Sequence, residues 1–343
     1  MNFAYYTKQI ARGPGAADDL SEEEAHDLFG AMLDGGVPDL ELGALLMALR
    51  QKPESVSELL GFHRAASARL YSLQAPESGL RPIVIPAYGG ARSEHNLLPL
   101  LGLLLRRLGV PVLFHGTLEG SGRVASVYIL RELGVMPSAT VAQAQSTLEE
   151  DNIAFLPIAA MCPGLAALLG LRYRLGVRNS AHLVAKLIEP FGGAGVVLVG
   201  ASTAHLLERF AALLSATGAS ALLLASTEGE PIANACRRPR MERFYQGHRE
   251  VLFDEEAHGV QAVGGLPQSI QAQPTAQWIG QALAGEAAIP HPIVNQLACC
   301  LCLAGYTDDM NQAKAIAAVE AGSLGPMARR RATPARPSRA LPR

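Results

Sequence analysis

From residue 81 onward, short apolar runs alternate with longer stretches of helical spacing, and no other feature restricts the fold as much. Ile83-Val84-Ile85, ended by Pro86, fits a buried strand, and so does Pro111-Val112-Leu113-Phe114, ended by His115-Gly116. Residues 155–159, 196–199 and 221–224 repeat the pattern, and residues 96–107, 123–133, 275–283, 293–304 and 308–321 read as helices. Strand alternating with helix calls for a mostly parallel sheet covered on both faces. Upstream, residues 1–75 read as helix throughout. Ser21 with Glu24 and Ser55 with Glu58 are capping boxes, Gly35-Gly36 ends one helix and Pro38-Asp39 opens the next. Residues 163–190 interrupt the alternation with two helices, 165–171 and 180–188, joined by a basic connection. The expected fold is therefore α/β: a small all-helical domain (1–76 plus 163–191) and a larger α/β domain with a mostly parallel central sheet (77–162 plus 192–325). A disordered Arg/Pro-rich tail, 326–343, is expected beyond it, since such a segment buries too little apolar area to offset its ordering entropy.

A chain of 343 residues, 49% apolar and 17% charged, has room for two domains and excludes disorder for its bulk. Five cysteines are too few for a disulfide scaffold; Cys299, Cys300 and Cys302 read as core residues of one helix. The start lacks the apolar segment of a secretory signal, and the longest apolar run, 97–105, contains Pro99 and Gly102. A cytoplasmic protein without membrane contact is expected. The formal net charge of −2 hides a split: residues 329–343 carry six arginines and no acid, leaving residues 1–328 with 23 basic against 31 acidic side chains, a net of −8.

Four places carry possible chemistry. The turn Pro86-Ala87-Tyr88-Gly89-Gly90-Ala91-Arg92 follows the first strand, where glycine lets backbone N–H groups approach a phosphate; the alternative is a tight turn only. His115-Gly116 ends the second strand, beyond which ligands of parallel sheets bind, although a single histidine there is as readily structural. Arg172 and Arg174 precede Arg178, His182 and Lys186, spaced i, i+4, i+8; on a helix reaching back to Arg178 these three share one face. Such a concentration of positive charge in an acidic globule suits an anion site, against the alternative of a solvated face with local ion pairs. Glu228 and Glu230, two apart in a turn, are candidate Mg²⁺ ligands or a polar surface turn. Neither a G-x-x-x-x-G-K-[ST] phosphate loop nor a G-x-S-x-G nucleophile elbow occurs.

The order of these segments, with Val37-Pro38-Asp39-Leu40-Glu41-Leu42-Gly43, Pro82-Ile83-Val84-Ile85-Pro86, residues 176–186, Thr227-Glu228-Gly229-Glu230 and Ala298-Cys299-Cys300-Leu301, resembles the anthranilate phosphoribosyltransferase-like (glycosyltransferase family 3) superfamily, and within it the YbiB-type branch. The resemblance covers roughly residues 3–321. It implies a homodimer through the helical domain, a cleft between domains at the Gly-Gly turn, and nucleic-acid binding without evident anthranilate phosphoribosyltransferase activity. Where the enzymes of the superfamily carry G-T-G-G-D, this chain has Ala87-Tyr88-Gly89-Gly90-Ala91; their N-I-S-T is Asn96-Leu97-Leu98-Pro99, and their K-H-G-N-R is Phe114-His115-Gly116-Thr117-Leu118. The arginine that faces the anthranilate carboxylate corresponds to Arg178, the asparagine four residues on is His182, and the magnesium-binding acids are matched loosely by Glu228 and Glu230. Losing several charge-assisted contacts, each worth about 1.5–3 kcal/mol, argues against diphosphate chemistry.

The expectation is sequence-independent binding of nucleic acid, DNA or RNA, single-stranded, by a dimer without a cofactor. Arg92, Arg172, Arg174, Arg178, His182 and Lys186 form the anion site, Tyr88 and Tyr173 stack bases, and Gly89, Gly90, His115 and Gly116 are a vestigial phosphate turn. The rival is an active phosphoribosyltransferase using Mg²⁺ held by Glu228 or Glu230; a third reading is a noncatalytic sensor of a phosphorylated metabolite.

Overall fold

The computed structural model describes residues 2–12, 16–120, 122–258 and 265–322. The expected tail, with its six arginines, lies outside the described residues. Four helices open the chain: α1 (Phe3–Ile10), α2 (Glu22–Leu33), α3 (Asp39–Gln51) and α4 (Val56–Ser67). Both capping boxes form, at Ser21 and Ser55. Helices this short need tertiary partners. Phe29 of α2 and Phe62 of α4 stack at 4.7 Å between ring centroids, and a Cβ on Gly61 would lie 2.3 Å from the Glu22 carbonyl oxygen, so only glycine admits this approach. Under the pair, Lys52 bridges Asp19 (2.5 Å) and the fully buried Glu58 (2.7 Å). Burial would depress the Lys52 amine, but the two carboxylates hold it above its ordinary value.

The α/β part follows as β1 (Ile83–Ala87), α5 (Leu98–Arg107), β2 (Val112–Gly116), α6 (Ser126–Glu132), α7 (Val141–Asp151) and β3 (Ile153–Pro157). Short helices α8 (Ile158–Met161), α9 (Pro163–Gly170), α10 (Arg172–Leu175) and α11 (Ala181–Val184) come next. Then come β4 (Val196–Ala201), α12 (Ala204–Thr217), β5 (Ala221–Ala225), β6 (Met241–Tyr245), β7 (His248–Phe253), α13 (Ala272–Ala284), α14 (His291–Leu303) and α15 (Met310–Glu320). The seven strands order β3-β2-β1-β4-β5-β6-β7, parallel from β3 through β5, with β6 and β7 antiparallel. The β6–β7 hairpin adds two strands the sequence pattern did not announce.

Side-chain alternation along the strands divides the core. Val84, Leu113, Val197 and Val199 face a cluster shared with Phe29, Phe62, Leu165 and Leu168 of the helical part. Ile83, Ile85, Phe114 and Leu198 face a second cluster with α5, α6, α13 and α14, and there Cys299 and Cys300 lie fully buried. A Cβ on Gly164 of α9 would stand 2.2 Å from the Leu33 carbonyl oxygen, so α9 lies directly against the end of α2. Backbone bonds from Tyr71 to Met161 and from Leu73 to Pro190, both 2.9 Å, stitch the segment after α4 to the ends of the α8–α11 region. Residues 163–188 thus pack with the N-terminal helices. Among the described residues no helix is long and apolar enough to cross a membrane.

Candidate anion-binding cleft

The strand order reverses direction between β1 and β4, and ligands of open parallel sheets bind beyond the carboxyl ends at that switch point. There the turn after β1 meets the loop after β5. Gly90 donates its N–H to Glu230 Oε1 at 2.8 Å, and Ser126 Oγ, itself bound by Asn96 Nδ2 (2.9 Å), donates to the same oxygen at 3.1 Å. Glu230 is 1% exposed, its Oε2 has no partner, and burial raises its pKa against these hydrogen bonds. Glu228, at φ +52°, turns its carboxylate onto three successive N–H groups: Arg92 (2.6 Å), Ser93 (3.0 Å) and Glu94 (3.2 Å). Burial pushes the Glu228 pKa up, but these donors and the charge of Arg123 bring it below the ordinary carboxylate range. The Ala91 N–H goes to the Val124 carbonyl. A Cβ on Gly89 would lie 2.7 Å from the backbone of residues 229 and 230. The Gly-Gly turn is therefore tight because the protein's own acidic loop lies on it, and its donors are spent on Glu228 and Glu230.

The expected single face of Arg178, His182 and Lys186 does not form. Gly176, at φ +74°, ends α10, and Asn179 replaces a helical turn by accepting from the Ala181 N–H (3.1 Å) and donating to the Leu168 carbonyl (2.7 Å). Helix starts again only at Ala181, and residues 185–187 form a 3₁₀ turn. Lys186, expected at phosphates, is 9% exposed and donates to the Gly200 carbonyl at 2.9 Å, at the end of β4. Burial, then the charge of Arg178, lowers its pKa to about 8, against the pull of Glu230. Arg174 turns to the helical part and pairs with Asp39 at 3.1 Å. Arg92 is exposed, and its backbone N–H, not its side chain, is what meets Glu228. Tyr88, expected to stack bases, is partly buried with its hydroxyl 2.8 Å from His115 Nδ1. His115 is fully buried, and burial pushes its pKa down to about 3. A Cβ on Gly116 would clash with the Ala87 carbonyl oxygen, so that glycine serves strand packing.

What does come together is a cationic group that sequence spacing only partly found. Arg178 is lowered first by burial and then by Arg172 and Arg123, with Arg50 contributing to the same field, and its Nη2 is buried without a partner. Arg123 donates to the carbonyls of Glu228 (3.0 Å) and Gly90 (3.4 Å). Arg50, at the end of α3, and Arg123, before α6, are far from the 172–186 stretch in sequence, and only the fold joins them. Beside this group a cavity of about 340 Å³ opens beyond β2 and β3, walled by Tyr88, Leu118, Ile158, Leu169, Arg172, Tyr173 and His182. Among the described residues no group of three or more His, Cys, Asp or Glu side chains is placed to hold a metal ion.

Two outcomes follow. Glu228→Ala removes an anion from three donors, each such bond being worth about 1.5–3 kcal/mol when dry and less at this partly exposed site. Its melting temperature should fall, and inorganic pyrophosphate should raise the variant's melting temperature but not the parent's; a variant indifferent on both counts would contradict the arrangement. Burial, with Arg178 and Arg172, holds the His182 pKa down to about 3. The unfolded chain takes up that proton near pH 6.5 and the folded chain does not, so stability falls with pH by up to about 1.4 kcal/mol per unit below that point. The parent's melting temperature should drop more steeply than that of His182→Gln between about pH 7 and about pH 5; parallel curves would show a charged ring.

Residues 5–69 match the helical bundle domain of the glycosyl transferase family. The chain is 41% identical over 306 residues to the uncharacterized protein YbiB of Escherichia coli (strain K12), covering 89% of this chain and 95% of that one. It is 30% identical over 206 residues to an anthranilate phosphoribosyltransferase of Methanosphaerula palustris, spanning 60% of that enzyme. Its fold is similar to the anthranilate phosphoribosyltransferase of Thermus thermophilus, with a TM-score of 0.73 at 24% identity over 93% of this chain and 94% of that one. The Saccharomyces cerevisiae enzyme in complex with PRPP and Mg also superposes, with a TM-score of 0.73 at 14% identity over 94% and 93% of the two chains. This chain belongs to the YbiB family, built on the anthranilate phosphoribosyltransferase fold with a glycosyltransferase family 3 helical domain.

Proposed function

We propose that the cleft binds single-stranded DNA through its phosphates, independently of sequence and without phosphoribosyl transfer. The observation that carries this reading is a group of arginines that make no ion pair. Most arginines elsewhere are matched to acids, as in Arg69 with Asp34 (2.6 Å) or Arg249 with Glu208 (3.1 Å) and Glu242 (2.9 Å), although among the described residues Arg81, Arg92 and Arg131 are not. Among the described residues Arg50, Arg123, Arg172 and Arg178 make no ion pair; Glu230, which acts on Arg178, is buried and bound to Gly90 and Ser126, and Glu228, on which Arg123 acts, is held by backbone N–H groups. Phosphate contacts need positive charge without shape specificity. Tyr173 is 60% exposed, and base–aromatic stacking of this kind is characteristic of single-strand binding.

The enzyme reading finds less support. Mg²⁺ needs free carboxylate oxygens alongside substrate phosphates. Both oxygens of Glu228 accept backbone N–H bonds, one oxygen of Glu230 accepts two donors, and the other is sealed from solvent. These residues do not fit the ion.

With a labelled single strand, log affinity should fall against log salt at about −0.7 per phosphate contacted. Replacing Arg172 and Arg178 by alanine should weaken binding alike for unrelated sequences and flatten that slope by about 1.4. Unchanged affinity in this double variant, or loss only on truncation after Ala328, would move the site to the tail. Product from phosphoribosyl diphosphate and any base would restore the enzyme.

We also propose that two copies pair through the helical part, giving two clefts. Leu40 of α3, 82% exposed, lines a shallow groove with Ala4 and Ala11 of the neighbouring α1 region and Ala44, and Tyr5 of α1 is 57% exposed. Sedimentation should show a dimer in the parent and a monomer in Leu40→Glu; a dimer surviving that charge would place the interface elsewhere.

A further inference from the structure

The cavity beyond β2 and β3 has a composition that phosphate binding alone does not require. Its volume of about 340 Å³ lies at the small end of small-molecule sites, about 300–1,000 Å³. Leu118, Ile158, Ala166 and Leu169 make its walls apolar. Tyr173 stands at the rim, its hydroxyl donating to Glu119 at 3.1 Å, which fixes the direction of an exposed ring. His182 also lines the cavity; it is held neutral and its Nδ1 is engaged by Asn179 (3.3 Å), so Nε2 is the ring nitrogen left to meet a ligand. Arg172 also lines the cavity and shares its electrostatic field with Arg178 and His182.

A ligand matched to this place carries a flat, largely apolar heterocycle with hydrogen-bonding edges, joined to an anion a few bonds away. A nucleotide unit of a polynucleotide has that chemistry. We propose that the cavity takes up one unstacked base of the bound strand, ringed by Tyr173 and the apolar walls, while the adjoining phosphate lies on Arg172 and Arg178. This rests on the strand-binding reading above and adds to it. Phosphate contacts position a strand without selecting single strands; a base-sized recess does so, because a paired base cannot enter it without paying to leave its stack. Lys186 and Glu230, deeper and sealed, take no part in holding the base.

The test compares the full chain's binding of a labelled oligothymidylate with an abasic strand of equal length and charge. Base stacking is worth about 1–3 kcal/mol, so the base-bearing strand should bind about fivefold to more than a hundredfold more tightly. Ala166→Phe, which fills the cavity from α9, should bring the two affinities together by weakening the base-bearing strand alone. A measurement on the parent needs no variant: the emission of a 2-aminopurine strand should become resistant to acrylamide quenching on binding. Equal binding of both strands with 2-aminopurine still open to quencher overturns the base site and leaves phosphate binding intact. Absence of binding by either strand overturns both readings. A cavity that takes up free thymidine monophosphate while the strand shows no base dependence also overturns the proposal, since it would be a metabolite site.

Discussion

Five consecutive backbone N–H groups after β1, from residues 90 to 94, are satisfied from within the chain, and the rest of the cleft depends on that closure. Glu230 takes that of Gly90, Val124 takes that of Ala91, and Glu228 takes the next three. Holding Glu228 in the left-handed region costs of order 1–3 kcal/mol, and three charge-assisted bonds of about 1.5–3 kcal/mol each outweigh it even after discounting for solvent. The acidic loop behaves as a tethered anion. A turn already holding a carboxylate has no donors left for a diphosphate, and the same oxygens are no longer available to a metal. One set of contacts therefore commits both the turn donors and the acidic oxygens.

The fold was legible where it rests on local pattern. The five parallel strands lie within two residues of the apolar runs, and both capping boxes form as read, because these depend on neighbours in sequence. The β6–β7 hairpin was not, because its edge is held by charges instead of an apolar stripe. Arg243 faces Glu250 directly across the pair, at 2.5 Å, and Arg249 reaches both Glu208 and Glu242. The available signal was Gln246-Gly247, both at positive φ, as a tight hairpin turn demands.

The site was legible only in part, for a physical reason. Spacing i, i+4, i+8 is informative only if the helix is continuous, and Asn179 breaks it by serving as its own local turn, a habit of asparagine that the charge pattern obscured. Lys186 then falls inside, on Gly200, rather than beside Arg178 on a surface. The residues that do accompany Arg178 sit on elements brought together by the sheet's crossover connections, and so does the pairing of Glu228 with residues 92–94. No window along the chain contains either set.

Arg123 joins the closed turn to the open charge. Its guanidinium donates to the Glu228 and Gly90 carbonyls, clamping the acidic loop to the turn, while its charge contributes to the field that depresses Arg178. Like charges gathered at a half-buried site repel; of the carboxylates that act on them, Glu228 is committed to backbone N–H groups, and Glu230 is itself pushed toward its neutral form. Its neutralising power is weakest where it is most needed. An arrangement that raises the energy of the free protein in this way is relieved by an external anion, and the gain is realised only on binding. The closed turn offers that anion no backbone donors, so under the proposed function relief comes from the arginine side chains, the buried and unpartnered Nη2 of Arg178 among them.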